Sequence, residues 1–187
     1  MRRLGIAIVG IVGLAGSSRS ATAAPDLTID GGLLVGQPAA LPTGLSSGVT
    51  AGVTAGRALA FGLRLGWTRA TEYSTSWTVT HSDIRMRATG ALGAELGRGT
   101  LALRLGLGAT VVRETRERDQ ASRAGLTGDQ AEQGATSLLP AADLEAVATL
   151  RLVGWLGLVV GGGPSFHVQD GHLRSGFVGT LGLAWLP

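Results

Sequence analysis

The stretch Leu59-Ala60-Phe61-Gly62-Leu63-Arg64-Leu65-Gly66-Trp67 decides the fold. Every odd position is bulky and apolar, and every even one is small or charged. Side chains of a β-strand point alternately to opposite faces, so this is a strand with one hydrocarbon face and one face of Ala, Gly and Arg. A helix, with its period of 3.6, would scatter both sets.

The same alternation recurs on either side. Ile84, Met86, Ala88, Leu92 and Leu96 oppose Arg85, Arg87, Thr89, Gly93 and Glu95, and Leu101, Leu103, Leu105, Leu107 and Val111 oppose Arg104, Gly106, Gly108 and Thr110. Earlier, Leu27, Ile29, Leu33 and Val35 alternate with Thr28, Asp30 and Leu34, and Val49, Ala51, Val53 and Ala55 with Thr50, Gly52 and Thr54. Later come Leu138 to Leu152 with Asp143, Glu145 and Arg151 opposite, then Leu156 to Val160, and last Phe177 to Trp185 with Arg174 on its polar face. That makes eight strands. Six Arg (64, 85, 87, 104, 151, 174) and six acids (Asp30, Asp83, Glu95, Glu114, Asp143, Glu145) lie in or beside them, all on the face away from the bulky side chains. Residues 141–152 contain good helix formers, but their charges are spaced by even numbers, which only a strand gathers on one face.

Gly56-Arg57, Gly97-Arg98-Gly99 and Val153-Gly154 are expected to be tight hairpin turns. Residues 38–44, 72–78, 115–136 and 169–172 are longer or more polar links. Short and long links in alternation describe an up-and-down meander. Eight amphipathic strands left open would expose two unpaired edges, so closure is expected. The predicted architecture is all-β: an eight-stranded antiparallel up-and-down transmembrane β-barrel.

Which face meets lipid follows from residue size. A soluble lipocalin-like barrel would share the period but turn its charged column to water. Here that column is mostly Gly, Ala and Thr, as a narrow lumen holding a few long Arg and Glu chains requires, and the bulky column carries no charge through mid-strand. Only 16% of residues are charged and the mean hydropathy is +0.28, so much apolar surface must be hidden in a core or in acyl chains. Trp67, Tyr73, Trp77 and Phe166 fall near the long-link ends and Phe61, Trp155 and Trp185 near the tight turns, an arrangement expected of two interfacial belts.

Residues 1–23 are expected to be a cleaved signal peptide: Arg2 and Arg3, an apolar run from Leu4 to Leu14, then Ala21-Thr22-Ala23. Residues 24–187 would be the barrel. Without Arg2, Arg3 and Arg19 the remaining Arg and acidic residues are equal in number, so the formal charge of +3 gives no reason to expect a nucleic-acid partner. With no Cys there is neither a disulfide framework nor thiolate chemistry.

The leader, the eight alternating strands, the short turns on one side and the last strand Gly179-Thr180-Leu181-Gly182-Leu183-Ala184-Trp185 together resemble the small bacterial outer-membrane barrels of the OmpX type and the OmpA membrane domain. The resemblance is architectural and spans the proposed mature chain. Those families usually end on an aromatic residue, whereas this sequence ends Trp185-Leu186-Pro187. The resemblance implies a monomer in the outer membrane of a Gram-negative-type bacterium, with membrane lipid and lipopolysaccharide as its surroundings.

Three constellations are candidates for function. Asp30, Arg64, Arg85, Arg87, Glu95, Arg104, Asp143, Glu145, Arg151 and Arg174 form an expected lumen charge network, a plug of ion pairs rather than a conduit, with Arg85 or Arg87 able to meet Asp143 or Glu145. Arg113, Arg116, Arg118 and Arg123, interleaved with acids, are candidate loop contacts to lipid phosphate or an extracellular partner, with 115–136 as the exposed loop. A lipid A acyl-modifying enzyme would need a nucleophile and a base. His81-Ser82-Asp83, and Ser165 with His167 and Asp170, offer these residue types without matching a family motif. Gly161-Gly162-Gly163-Pro164 invites a bulge that would reset the phase beyond it. Three His and no Cys give no metal-ligand spacing, and no Gly-rich stretch precedes a helix, so neither metal nor cofactor is expected. The expected function is that of a non-enzymatic envelope barrel.

Overall fold

The computed structural model describes residues 27–39, 44–74, 76–118 and 132–186. Eight strands, β1 (Leu27–Gly36), β2 (Ser46–Gly56), β3 (Leu59–Tyr73), β4 (Trp77–Leu96), β5 (Gly99–Arg118), β6 (Glu132–Val153), β7 (Leu156–Gln169) and β8 (His172–Trp185), follow one another in order around a closed antiparallel barrel. β1 closes on β8 through Ile29 opposite Trp185 to Gly36 opposite Val178. The expected signal peptide lies outside the described residues.

The register fixes the width of the ring. Leu27 lies opposite Ala55, which continues to Phe61, Gly90, Leu105 and Leu144 and, through Pro164 and Phe177, back to Gln37, ten positions further along the chain. With about 3.3 Å per residue and about 4.8 Å between strands, that stagger tilts the strands by roughly 40° and gives a backbone radius of about 8 Å. Side chains alone fill such an interior.

The two columns seen in the sequence are the two surfaces of the wall. Leu63, Leu105 and Leu183 project outward and are 62%, 48% and 51% exposed, while Arg64 and Arg104 point inward at 8% and 9%. Around the barrel the apolar face ends on one row, Val49, Trp67, Ile84, Val111 and Leu138, all in register. The next outward row is Ser47, Arg69, Ser82, Arg113 and Thr136.

Pairing continues beyond that row, and here several expectations are corrected. β4, β5 and β6 are 20, 20 and 22 residues long, well above the ~9–11 a tilted strand needs to cross a bilayer. Residues 115–118 and 132–136 of the link expected over 115–136 are therefore strand, with Arg113, Arg116 and Arg118 on β5; residues 119–131, Arg123 among them, lie outside the described residues. The link expected over 72–78 shrinks to the residues between Tyr73 and Trp77. Asp170-Gly171 is a two-residue turn with φ of 52° and 75°, the doubly left-handed geometry that Asp-Gly supplies to hairpins. No bulge occurs at Gly161–Pro164: the β6–β7 register is the same on both sides, and its shift lies at Arg151/Val153. Trp77 belongs to the inward column, where Arg118 stacks 4.8 Å over its ring, and is no part of an outward belt.

Glycine shapes the closing seam. Gly32 faces Gly182, and a Cβ on either would meet the other strand's backbone at 2.3 Å. Two small apolar groups stopper the lumen. Val147, Val159 and Ala184 pack with Leu186 near the tight turns, and Ala39, Val112 and Leu139 cluster at the opposite mouth.

Candidate functional site

Between these stoppers lies the charged middle of the barrel. Seven of the ten residues expected in the lumen network are buried there: Asp30, Arg64, Arg85, Arg87, Arg104, Asp143 and Glu145. Glu95, Arg151 and Arg174 keep the inward phase of their strands but sit near the strand ends and are exposed, so they are no part of the buried cluster. Phase alone assigns a face; it gives no depth.

Like charges crowd this interior. Arg64 lies directly opposite Arg87 on the neighbouring strand, and Asp143 and Glu145 are two apart on β6. In register, two guanidinium groups repel unless carboxylates stand between them. The opposite wall supplies them. Arg64 Nη2 is 3.3 Å from Asp30 Oδ1, its Nη1 is 3.7 Å from Glu145 Oε2, and its Nε donates to Thr50 Oγ1 at 3.0 Å. Arg87 Nε meets Asp143 Oδ2 at 2.7 Å, and its Nη1 and Nη2 donate to the Ala109 carbonyl at 2.6 Å and to Thr110 Oγ1 at 3.0 Å.

Arg87 reaches across β5 to do so, and Gly106 leaves the path open. A Cβ there would touch the Arg87 side-chain carbons at 3.5–3.6 Å, ordinary contact, but nothing larger would fit without moving the chain.

Neither candidate nucleophile is hydrogen-bonded to a histidine. Ser165 Oγ donates to Asp143 Oδ1 at 2.6 Å, which ties it into the Arg87 cluster. His167 shares its face, but Asp170 sits in the exposed turn. In the other triplet His81 and Asp83 point inward and Ser82 outward. His81 Nδ1 is instead 3.7 Å from Glu114 Oε2, directly across β5, and Asp83 Oδ2 accepts the Ala39 N–H at 2.8 Å. Sequence reasoning missed Arg69 at the edge of the apolar face, although it continues the phase of Trp67, and missed Gln37 and Thr110 as partners of the lumen arginines. Among the described residues no group of three or more His, Cys, Asp or Glu could hold a metal ion.

Outward leucines, inward ion pairs and eight strands closed in order settle the architecture. The fold is that of the small outer-membrane β-barrels. Solved structures with this fold include Ail, the attachment invasion locus protein of Yersinia pestis, at a TM-score of 0.56 and 9% identity, covering 87% of this chain and 97% of Ail. A second Ail structure, in complex with the heparin analogue sucrose octasulfate, gives the same score and coverage at 10% identity. Neisserial surface protein A follows at 0.48 and 10%, over 86% of this chain and 94% of its own. No family model and no curated protein matches the sequence. Identity this low carries the barrel and leaves every site residue to be argued from this chain.

Proposed function

We propose that the protein is a non-enzymatic outer-membrane barrel of the envelope, exported through a cleaved signal peptide and monomeric, with a closed, charge-paired lumen. The observation that carries this reading is the inverted polarity of the wall. A ring of exposed Leu, Ile and Trp surrounds buried Arg and carboxylate groups, which would be untenable in water and is required in hydrocarbon. The row Ser47, Arg69, Ser82, Arg113, Thr136 marks the border where acyl chains give way to headgroups, and Arg69 and Arg113 there suit the phosphates of membrane lipid and lipopolysaccharide. The β3–β4 and β5–β6 hairpins extend beyond this border on the extracellular side and offer a surface to an extracellular partner. The bonding of Ser165 to Asp143 supports the non-enzymatic reading.

The test is cellular. The protein is expected in the detergent-resistant outer-membrane fraction, migrating faster on gels when unheated than when boiled. Release by osmotic shock would overturn the assignment. Lipid A should have the same mass with wild-type protein, His81→Ala and His167→Ala, and a difference would restore the enzyme.

A further inference from the structure

The outer mouth of the barrel holds a feature that the lumen plug does not use. A cavity of about 420 Å³ opens between the segment after β1 and the β7–β8 hairpin, lined by Gln37, Arg85, Ser165, His167, Gln169 and Arg174 among others. Among the described residues no acidic one contributes to its wall.

Arg85 is the unusual member. It is two positions from Arg87 on the same face and is only 5% exposed, yet its chemistry differs. Its Nη2 donates to the Gln37 carbonyl at 3.1 Å, while Nε and Nη1 are buried with no partner. No carboxylate of the described residues lies within ion-pair distance of it. Asp83, the next inward residue on β4, is bonded to the Ala39 N–H and acts on Arg85 and His167 from behind the wall without lining it. His167, 9% exposed, has the Ala39 backbone on one ring nitrogen and leaves Nε2 without a partner in the same cavity. Arg174 adds a second guanidinium at the exposed rim.

Water could fill such a space and satisfy N–H groups. It would supply no charge in contact with the guanidinium, whose nearest carboxylates, Asp143, Asp83 and Glu145, act on it only from beyond ion-pair distance. Arg64 and Arg87 each have a carboxylate in ion-pair contact; Arg85 has only longer-range ones and turns two unpartnered N–H groups toward a cavity. We propose that this cavity binds a phosphate group, whose oxygens accept from Arg85 inside and from Arg174 at the rim while its hydroxyl donates to His167 Nε2. The inference concerns the mouth of the closed barrel and stands whether or not the outer wall meets lipid. The phosphate could belong to a free ion or to a lipid headgroup, and the experiment separates the two.

The full chain, folded in a sugar-based detergent free of phosphate, is titrated with inorganic phosphate, with phosphatidic acid mixed into the micelles, and with acetate, while the ¹⁵N imidazole resonances of His167, assigned by their loss in His167→Asn, are followed. A saturable shift is expected with phosphate and a weaker one with acetate. Arg85→Gln should weaken the phosphate response by at least about tenfold, and Arg174→Gln by a smaller factor. Saturation by phosphatidic acid at far lower concentration identifies a headgroup, and a response to inorganic phosphate alone identifies the free ion. No saturable shift from either phosphate source at about 100 mM, acetate binding as tightly as phosphate, or a response unchanged in both variants would overturn the proposal. Should Arg85→Gln fail to fold, the exposed Arg174→Gln decides by itself.

Discussion

Asp143 holds two partners at once, Arg87 at 2.7 Å and the Ser165 hydroxyl at 2.6 Å. Replacing it with Asn leaves a buried guanidinium without its counter-charge, expected to cost about 3–5 kcal/mol. The combined change Arg87→Met with Asp143→Leu should recover part of that loss, because neither member of the pair is then left as a lone charge, although Arg85 also loses the distant Asp143 carboxylate. Urea titrations in lipid vesicles, followed by the heat-sensitive gel shift, measure both. Gly106→Leu should lower the urea midpoint nearly as much as Asp143→Asn, since it fills the path of the Arg87 side chain, whereas Gly106→Ala should leave the midpoint close to wild type. These side chains were legible in sequence as inward charges, because Arg85, Arg87, Asp143 and Glu145 each hold the phase of the small residues beside them. Their partners were harder to read. Arg87 meets Asp143 only because β4, β5 and β6 settle into one register, and Arg85 differs from Arg87 only because Gln37 to Ala39 enter the mouth beside it.

At the scale of strands, hydropathy marks where the wall meets an apolar medium, and hydrogen bonding marks where the strand ends. The two coincide at the tight turns, where Gly56 and Gly97, at φ of 126° and 61°, stop strand and apolar face together. They part at the other end. β3 to β6 stay paired well past Trp67, Ile84, Val111 and Leu138 through polar sequence that carries no periodic hydrophobic mark. The extra length was therefore invisible to a reading of apolar periodicity. The depth of each outward position predicts its tolerance for charge. Leu105→Arg, in the middle of the band, should destabilise the barrel by about 2–4 kcal/mol in vesicles, while Val111→Arg, on its last row, should cost about 0–1 kcal/mol. Equal costs in the same urea titrations would mean that the band edge is misplaced.

For the molecule as a whole, the stagger of ten positions over eight strands leaves a bore that side chains fill, and apolar clusters at both ends enclose the charged middle. The composition anticipated such a narrow interior through its Gly, Ala and Thr column, but not the stoppers, because Val147, Val159 and Leu139 are apolar residues in a polar phase.

Where β1 and β8 join, Gly32 against Gly182, the backbone bonds as it does between any two sequential neighbours, and Leu27 and Leu186 come to rest on the same rim. Topologically the wall has no first strand. A circular permutant that links these two ends by a short tether and begins instead at Arg98 should assemble into the same cylinder with the same gel shift. A chain lacking β8 altogether would present two naked edges to hydrocarbon and should yield no folded species at all. Assembly is thus expected to be all-or-none, because the seam that completes the ring joins strands from opposite ends of the barrel sequence.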